Sequence, residues 1–114
     1  MTRSDHHRLL DMQEAVVDLT AIVARGRAEW DRDKLLRLAA QKLLEIVGEA
    51  AKQVSDETRV RHPDVPWRDL ARVRDVYTHA YHRVDHDLMW EQLVTQLPEL
   101  RSALDDIEDG FGQA

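Results

Sequence analysis

Residues 34–54 read KLLRLAAQKLLEIVGEAAKQV, and this stretch decides the fold class. Its leucines, isoleucine and valines recur at spacings of three and four residues, which is the period of an α-helix. Small residues lie between them and would let a neighbouring backbone approach closely. Gly48 costs about 1 kcal/mol relative to alanine inside a helix, which indicates a packing role. The stretch is therefore predicted to be the central helix of a bundle, capped by Asp31 or Asp33.

Helical periodicity continues on both sides of this segment, and no stretch alternates like a strand. A first helix is predicted to begin at Ser4 or Asp5 and to end near Gly26. A short helical turn is expected over residues 55–61. A third long helix is expected from Trp67 to about residue 81 or 82, because the preceding prolines interrupt helix.

The last part of the chain predicts two further helical pieces. Residues 83–85 form a loop in this interpretation, with Asp85 as a possible N-cap. Pro98 is expected in the first turn of a last helix over about residues 97–107. Residues 108–114 are expected to be a frayed tail. Together these patterns predict one all-α domain over residues 1–114, an antiparallel bundle of four to five helices.

Composition limits the function classes. The net charge is −6, and tight nonspecific nucleic-acid binding depends on lysine and arginine contacts to phosphate, so any nucleic-acid role needs a local cationic site. The absence of cysteine excludes disulfides, cysteine zinc sites and cysteine nucleophiles. No apolar run approaches a membrane span and no signal-peptide core follows the start, so we expect a cytoplasmic protein without membrane contact.

Chemically useful side chains are concentrated in residues 67–82, WRDLARVRDVYTHAYH. On a helical wheel, Arg74, Thr78 and Tyr81 share one face. His79 is five residues after Arg74, so about 140° separates the two on a regular helix. The two side chains can converge only if the helix ends or bends nearby, or if a second subunit completes the site.

Asp75 and His79 form an i,i+4 pair in which an ionised carboxylate can orient the imidazole. A histidine that titrates near neutrality, beside an arginine that can hold a phosphate, is the minimum set for metal-free RNA cleavage. The residues alone leave a second interpretation open. In it, Arg74 and Asp75 are solvated helix charges and His79 is an interface residue.

Five blocks of sequence, in order, resemble the HepT-like family of HEPN-domain proteins. Residues 74–81 match the family's R-x4-H-x-Y motif. The flanking blocks are residues 46–52 (IVGEAAK), 62–67 (HPDVPW), 84–90 (VDHDLMW) and 97–100 (LPEL). The likeness extends over about residues 8–107, and the ordered set of blocks is far more specific than R-x4-H alone.

This resemblance implies a HEPN bundle that forms a homodimer, with two R-x4-H motifs facing each other across a cleft. The implied activity is that of a metal-independent endoribonuclease, which needs no cofactor and leaves 2′,3′-cyclic phosphate or 3′-phosphate ends. Arg74 and His79 would be catalytic, with Asp75, Thr78 and Tyr81 in support. The implied partner is a minimal nucleotidyltransferase antitoxin, similar to MntA, which can transfer AMP to the motif tyrosine, here Tyr81.

Two alternatives stay open. Many relatives carry asparagine where this chain has Asp75, and a carboxylate there would weaken binding of RNA phosphate. The chain could then be a non-catalytic HEPN module that binds a nucleotidyltransferase. The second alternative is a metal site formed by His79, His82 and His86, whose spacing suits one helix face.

Several single residues receive structural interpretations. Trp67 and Trp90 are predicted to be core anchors, and Tyr77 is predicted to be structural. Trp30 lies in a charged linker and could be exposed or in an interface. Glu49, in a helix segment of small residues, is expected to be buried and paired, and Arg74 is a conceivable long-range partner.

Overall fold

A computed structural model describes residues 3–79 and 84–112, and all of the regular structure in these two ranges is helical. The helices are α1 (Arg3–Ala24), α2 (Arg27–Arg32), α3 (Lys34–Gln53), α4 (Asp56–Arg61), α5 (Trp67–His79) and α6 (His86–Gly112). Four of them are long, and α2 and α4 are short helices of six residues each. The prediction of an all-α bundle is confirmed.

The central helix begins and ends where its sequence predicts. Asp33 caps α3, and its Oδ1 accepts hydrogen bonds from the backbone N–H groups of Leu35 at 2.9 Å and Leu36 at 3.4 Å. α3 packs along α1 on one side and along α5 on the other. Its buried residues are Leu36, Ala40, Val47, Gly48, Ala50 and Ala51.

Long-range hydrogen bonds fix the helix directions. The start of α1 contacts the end of α3, since Asp5 accepts a hydrogen bond from the Ser55 backbone N–H at 2.9 Å. Gln13, in the middle of α1, donates to the carbonyl of Leu104, late in α6, at 3.3 Å, whereas Trp30, which follows α1, donates to the carbonyl of His86 at the start of α6. The start of α1 thus lies at the end of α3, and its contacts with α6 move toward the start of α6 as α1 proceeds, so α1 runs antiparallel to both α3 and α6.

The glycine in α3 marks the closest approach of two helices. A Cβ atom built on Gly48 would overlap the Cβ of Arg74 and would lie 2.5 Å from the carbonyl oxygen of Leu70. Both obstacles belong to the backbone or the first side-chain atom of α5, so neither can rotate away. The packing role predicted for Gly48 is confirmed.

The charged linker before α3 is a short helix with a buried tryptophan. Gly26, at φ +90°, ends the turn after α1 and leads into α2. Trp30 is 0% exposed, its Nε1 donates to the carbonyl of His86 at 3.1 Å, and its ring lies 5.3 Å from that of Trp90. Arg27 pairs with Asp87 across the same junction. Trp30 is therefore a core residue that attaches α2 to the start of α6.

The expectation of two helices at the carboxyl end is wrong. Asp85 caps α6 as predicted, with Oδ1 accepting from the N–H groups of Asp87 and Leu88 at 3.0 and 3.1 Å. One helix then continues to Gly112, with Pro98 inside it and past the start of the predicted frayed tail. Pro98 cannot donate to the Val94 carbonyl, but it is exposed, so water can solvate that carbonyl and the interruption is tolerated.

The start of α1 also differs from the prediction. The helix begins at Arg3, so Asp5 is inside its first turn and is not its cap. The Asp5 carboxylate is 2% exposed and accepts from the hydroxyls of Ser55 at 2.6 Å and Thr58 at 2.7 Å. Ser55 in turn caps α4, its Oγ accepting from the Thr58 N–H at 3.3 Å. The acid thus joins α1 to the α3–α4 junction.

We predict that Gly48→Ala will destabilise the fold by about 1–3 kcal/mol, because the new methyl group must force α3 and α5 apart. Denaturation in urea, followed by circular dichroism, measures the change in free energy of unfolding. Ala39→Ser, at an exposed position of the same helix, is the control and should stay within about 0.5 kcal/mol. An unchanged midpoint for Gly48→Ala would contradict the close approach.

Candidate functional site

The motif residues lie on the last two turns of α5. Arg74, Asp75, Thr78 and His79 are all within the described helix, whereas Tyr81 and His82 lie outside the described residues. α5 is helical from Trp67 through His79, so Arg74 and His79 leave it about 140° apart. The fold of one chain therefore leaves the two principal side chains on different sides of their helix.

Arg74 is held by two carboxylates. Its Nε lies 3.0 Å from Oε2 of Glu49 on α3, and its Nη1 donates to Oδ1 of Asp75 at 3.2 Å. The Arg74 side chain is 28% exposed, which leaves part of the guanidinium open to solvent. Its Nη2 makes no hydrogen bond to any residue in the described ranges, so this donor is available to a ligand. Glu49 is paired as expected, and Arg74 is the partner, but its side chain is 45% exposed, so the expectation of a buried carboxylate is wrong.

Asp75 does not orient His79, which corrects the i,i+4 interpretation. Its Oδ1 accepts from Lys52 Nζ on α3 at 3.2 Å as well as from Arg74. These contacts, first the hydrogen bond from Lys52 and then that from Arg74, hold the pKa of the Asp75 carboxyl below its ordinary value. The carboxylate lies between Lys52 of α3 and the Arg74 guanidinium of α5, and these two cations attract it more strongly than an exposed imidazole does.

His79 is exposed and makes no hydrogen bond or ion pair with the part of the chain that the structure describes. Thr78, one residue earlier, donates from Oγ1 to Oε1 of Glu45 at 3.4 Å. The α5 end thus presents an imidazole that a substrate can approach without displacing a partner among the described residues.

Tyr77 is a core residue, as predicted. It is 7% exposed, and burial raises the pKa of its phenol. Its carbonyl accepts a hydrogen bond from Gln41 Nε2 on α3 at 3.4 Å. Trp67 is buried too and donates from Nε1 to the His62 carbonyl at 3.0 Å, so its predicted role as a core anchor is also confirmed.

An open cavity of about 360 Å³ lies beside Arg74, between α1, α3 and α5. It is lined by Arg8, Asp11, Lys42, Glu45, Ile46, Glu49, Ala50, Arg74 and Thr78. Three of these residues are cationic and three are carboxylates, so their formal charges cancel. The described residues therefore do not make this cavity the strongly cationic groove that tight RNA binding would use.

Lys52 and Glu45 were not identified from the sequence as part of this site. The available signal for Lys52 was its place in the IVGEAAK block with Gly48 and Glu49. Spacing within α3 could not reveal that these residues meet α5, because only the tertiary packing determines which helix each face contacts.

The described residues were also considered as a metal site and as membrane-spanning helices, because both would indicate other function classes. No group of three or more histidine, cysteine or acidic side chains in those ranges could hold a metal ion. The metal alternative includes His82, which lies outside them. None of the described helices combines the length and the hydropathy that crossing a membrane requires.

We predict that the Asp75 carboxyl will titrate below its ordinary value of 3.8, and that Lys52→Met will raise this pKa toward that value. A depressed pKa in the folded state means that the stabilisation is present above the ordinary value and is lost as the pH falls through the folded-state value. Carboxyl ¹³C NMR measures the titration. Lys34→Met, an exposed lysine at the start of the same helix, should change nothing. An Asp75 pKa that is unchanged in the Lys52→Met protein would contradict the pairing of Lys52 with Asp75.

Comparison with known proteins identifies the family. A search of the solved structures gives no match. The chain is 36% identical over 109 residues to a probable ribonuclease HepT of Thermococcus cleftensis, an alignment that covers 94% of this chain and 98% of the relative. It is 37% identical over 79 residues to a provisionally assigned RNase of Caldanaerobacter subterraneus, with 69% and 70% covered. A provisionally assigned RNase of Methanocaldococcus jannaschii is 29% identical over 97 residues, with 85% and 87% covered.

The profile of the family described as Ribonuclease HepT-like matches residues 12–107, which include the whole of α3 and α5. The chain belongs to the Ribonuclease HepT-like family.

Proposed function

We propose that this protein is a toxin-type, metal-independent endoribonuclease whose catalytic residues are Arg74 and His79. The observation that carries the proposal is the exposed imidazole of His79, which has no partner among the described residues, on the same helix end as a partly exposed Arg74 in a chain of the HepT-like family. The ribonuclease names of its relatives support the reaction class.

The chemistry follows from these two side chains. His79 accepts the proton of an RNA 2′-hydroxyl, and the 2′-oxygen attacks the adjacent phosphorus. The bond from phosphorus to the 5′-oxygen breaks, and that oxygen leaves with a proton from an imidazolium or from water. The product is a 2′,3′-cyclic phosphate, which water can open to a 3′-phosphate. Arg74, through its free Nη2, stabilises the negative charge that develops on the phosphoryl oxygens.

The site needs a second copy of the chain. Arg74 and His79 diverge by about 140° on one helix, and the charges around the adjacent cavity cancel. A homodimer in which two α5 helices face each other would place His79 of one copy near Arg74 of the other. It would also concentrate two arginines on one RNA strand.

The proposed regulator is a minimal nucleotidyltransferase of the MntA type that transfers AMP to Tyr81. Tyr81 lies two residues after His79, outside the described residues. A phosphodiester there would add negative charge beside the catalytic histidine and would repel the substrate phosphate. The acidic chain, with a net charge of −6, also suits a basic partner surface.

One observation favours a second candidate, a non-catalytic module that binds the nucleotidyltransferase. Arg74 lies between Glu49 and Asp75, and both carboxylates compete with a substrate phosphate. In this alternative the motif residues hold the dimer or the partner together.

We predict that the purified protein cleaves RNA in EDTA, and that Arg74→Ala and His79→Ala each lower the rate by about a hundredfold or more. Gel analysis with mapping of the product ends measures cleavage, and circular dichroism should show unchanged helical content. Arg72→Ala, an exposed arginine of the same helix, is the matched control. Equal cleavage by wild type and His79→Ala would remove His79 from the mechanism, and no cleavage by any of these proteins would favour the binding module.

Mixing the two inactive variants tests whether one site combines residues of two chains or lies within a single chain. If Arg74 of one copy works with His79 of the other, a heterodimer of Arg74→Ala with His79→Ala contains one intact site and one empty site. Co-refolded mixtures should then recover up to about a quarter of the wild-type rate, since half of the dimers are mixed and each has one of two sites. No recovery, with heterodimers verified by mass, would place both residues of a site in one chain.

We predict that Tyr81→Phe preserves cleavage but removes the AMP acceptor. Intact-protein mass spectrometry after incubation with the partner and ATP should show one added AMP per wild-type chain and none on Tyr81→Phe. Tyr77→Phe, at the buried tyrosine, should still accept AMP. An AMP adduct on the Tyr81→Phe protein would exclude Tyr81 as the acceptor.

A further inference from the structure

We propose that Glu49 and Lys52 of α3 are positioning residues of the ribonuclease site, which fix the Arg74 guanidinium and neutralise Asp75. This inference rests on the proposed function and extends it to a second helix. It gives the IVGEAAK block a role beside the R-x4-H motif, since three of its residues meet the same two residues of α5.

The geometry assigns each of the three a separate contact. Gly48 allows the backbone of α5 to approach at Arg74. Glu49 follows it and binds Arg74 Nε, and Lys52, three residues further and hence on the same side of α3, binds Asp75. The glycine sets the distance between the helices, and the two charged residues then reach one neighbouring pair.

The four charges alternate along the contact in the order Glu49, Arg74, Asp75, Lys52. Each inner charge has an opposite charge on either side, so the network is neutral and the guanidinium is held from two directions. Glu49 and Asp75 bind Nε and Nη1 of Arg74, and Nη2 stays on the solvent side. A preset donor of this kind stabilises developing charge without reorganising during the reaction.

Lys52 has a particular task in this sequence because residue 75 is an aspartate. Without Lys52, the Asp75 carboxylate would bind Arg74 alone and would present unbalanced negative charge to an incoming phosphate. With Lys52, part of that charge is compensated from the α3 side. The effect of Lys52 on catalysis should therefore depend on whether position 75 carries a charge.

The side chains of this network are too exposed for their ion pairs to contribute much to the stability of the fold. The side chains of Asp75, Glu49 and Lys52 are 51%, 45% and 40% exposed, and ion pairs at such positions are screened and contribute little to folding. Substitutions here can therefore alter activity while the bundle stays folded, which makes the inference testable.

The first experiment is a double-mutant cycle on RNA cleavage. Lys52→Met should lower kcat/KM by about tenfold in the wild-type chain but by less than about twofold in the Asp75→Asn chain. Lys34→Met should have no effect in either chain. An equal or larger loss in the Asp75→Asn chain would mean that Lys52 contacts RNA directly, and would overturn its positioning role.

The second experiment separates kcat from KM for Glu49. Glu49→Ala should lower kcat by about tenfold without raising KM, because Arg74 is freed to bind phosphate but is no longer held in place. Glu49→Gln should retain most of kcat, since its amide oxygen can still accept from Arg74 Nε. A higher KM with unchanged kcat in Glu49→Ala, or no rescue by Glu49→Gln, would overturn the assignment.

Failure of the proposed function gives a different result. If neither the wild type nor Asp75→Asn cleaves RNA, the ribonuclease proposal fails and the positioning roles fail with it. If both cleave, and Lys52→Met and Glu49→Ala change neither kinetic constant, the ribonuclease proposal stands and this inference alone is overturned.

Discussion

The close approach of α3 and α5 at Gly48 is the constraint on which the rest of the site depends. A missing Cβ brings the backbone of one helix against Arg74 of the other, and no side-chain rotation could accommodate an added methyl group there. This contact sets both the distance and the rotation of α5. The same rotation places Tyr77 in the core and leaves His79 in solvent. Steric exclusion at one residue thereby determines which side of the motif helix meets RNA in the proposed mechanism.

The charges around Arg74 determine which ligands can bind at the position that helix packing sets. The chain is acidic overall, and the cavity beside Arg74 has no net formal charge. A phosphate ligand must therefore compete with internal carboxylates for the arginine. Such a site discriminates against weakly bound anions, because only a ligand that offers several contacts offsets the loss of the Glu49 and Asp75 pairs. In the proposed homodimer, the second subunit would supply further contacts to such a ligand.

Much of this arrangement could be predicted from the sequence, for identifiable reasons. The apolar period of residues 34–54 and the Asp33 cap are local signals, and α3 follows them. The family motif locates Arg74 and His79 because it is a linear pattern. The partners of Asp75 could not be found in this way: an i,i+4 rule suggested His79, whereas Lys52 lies 23 residues away. The core position of Trp30 could not be predicted either, since its partners on α6 are about 60 residues away in the sequence. Pro98 misled because the preference of proline for the first turn of a helix is a local signal, whereas α6 begins earlier, continues through Pro98 and still contacts α1 at Leu104.

The position of α1 has a consequence for synthesis of the chain. α1 is made before the other five helices, yet it packs between α3 and α6, and Gln13 finds its partner at Leu104, 91 residues later. At roughly 5–20 residues per second, the side of α1 that meets α6 waits several seconds for its partner on the ribosome. Met12, Val16 and Leu19 belong to the core that is completed only then. The bundle therefore closes only after Leu104 has been made, and until then a nascent chain can hold α3 and α5 while the side of α1 that meets α6 is uncovered.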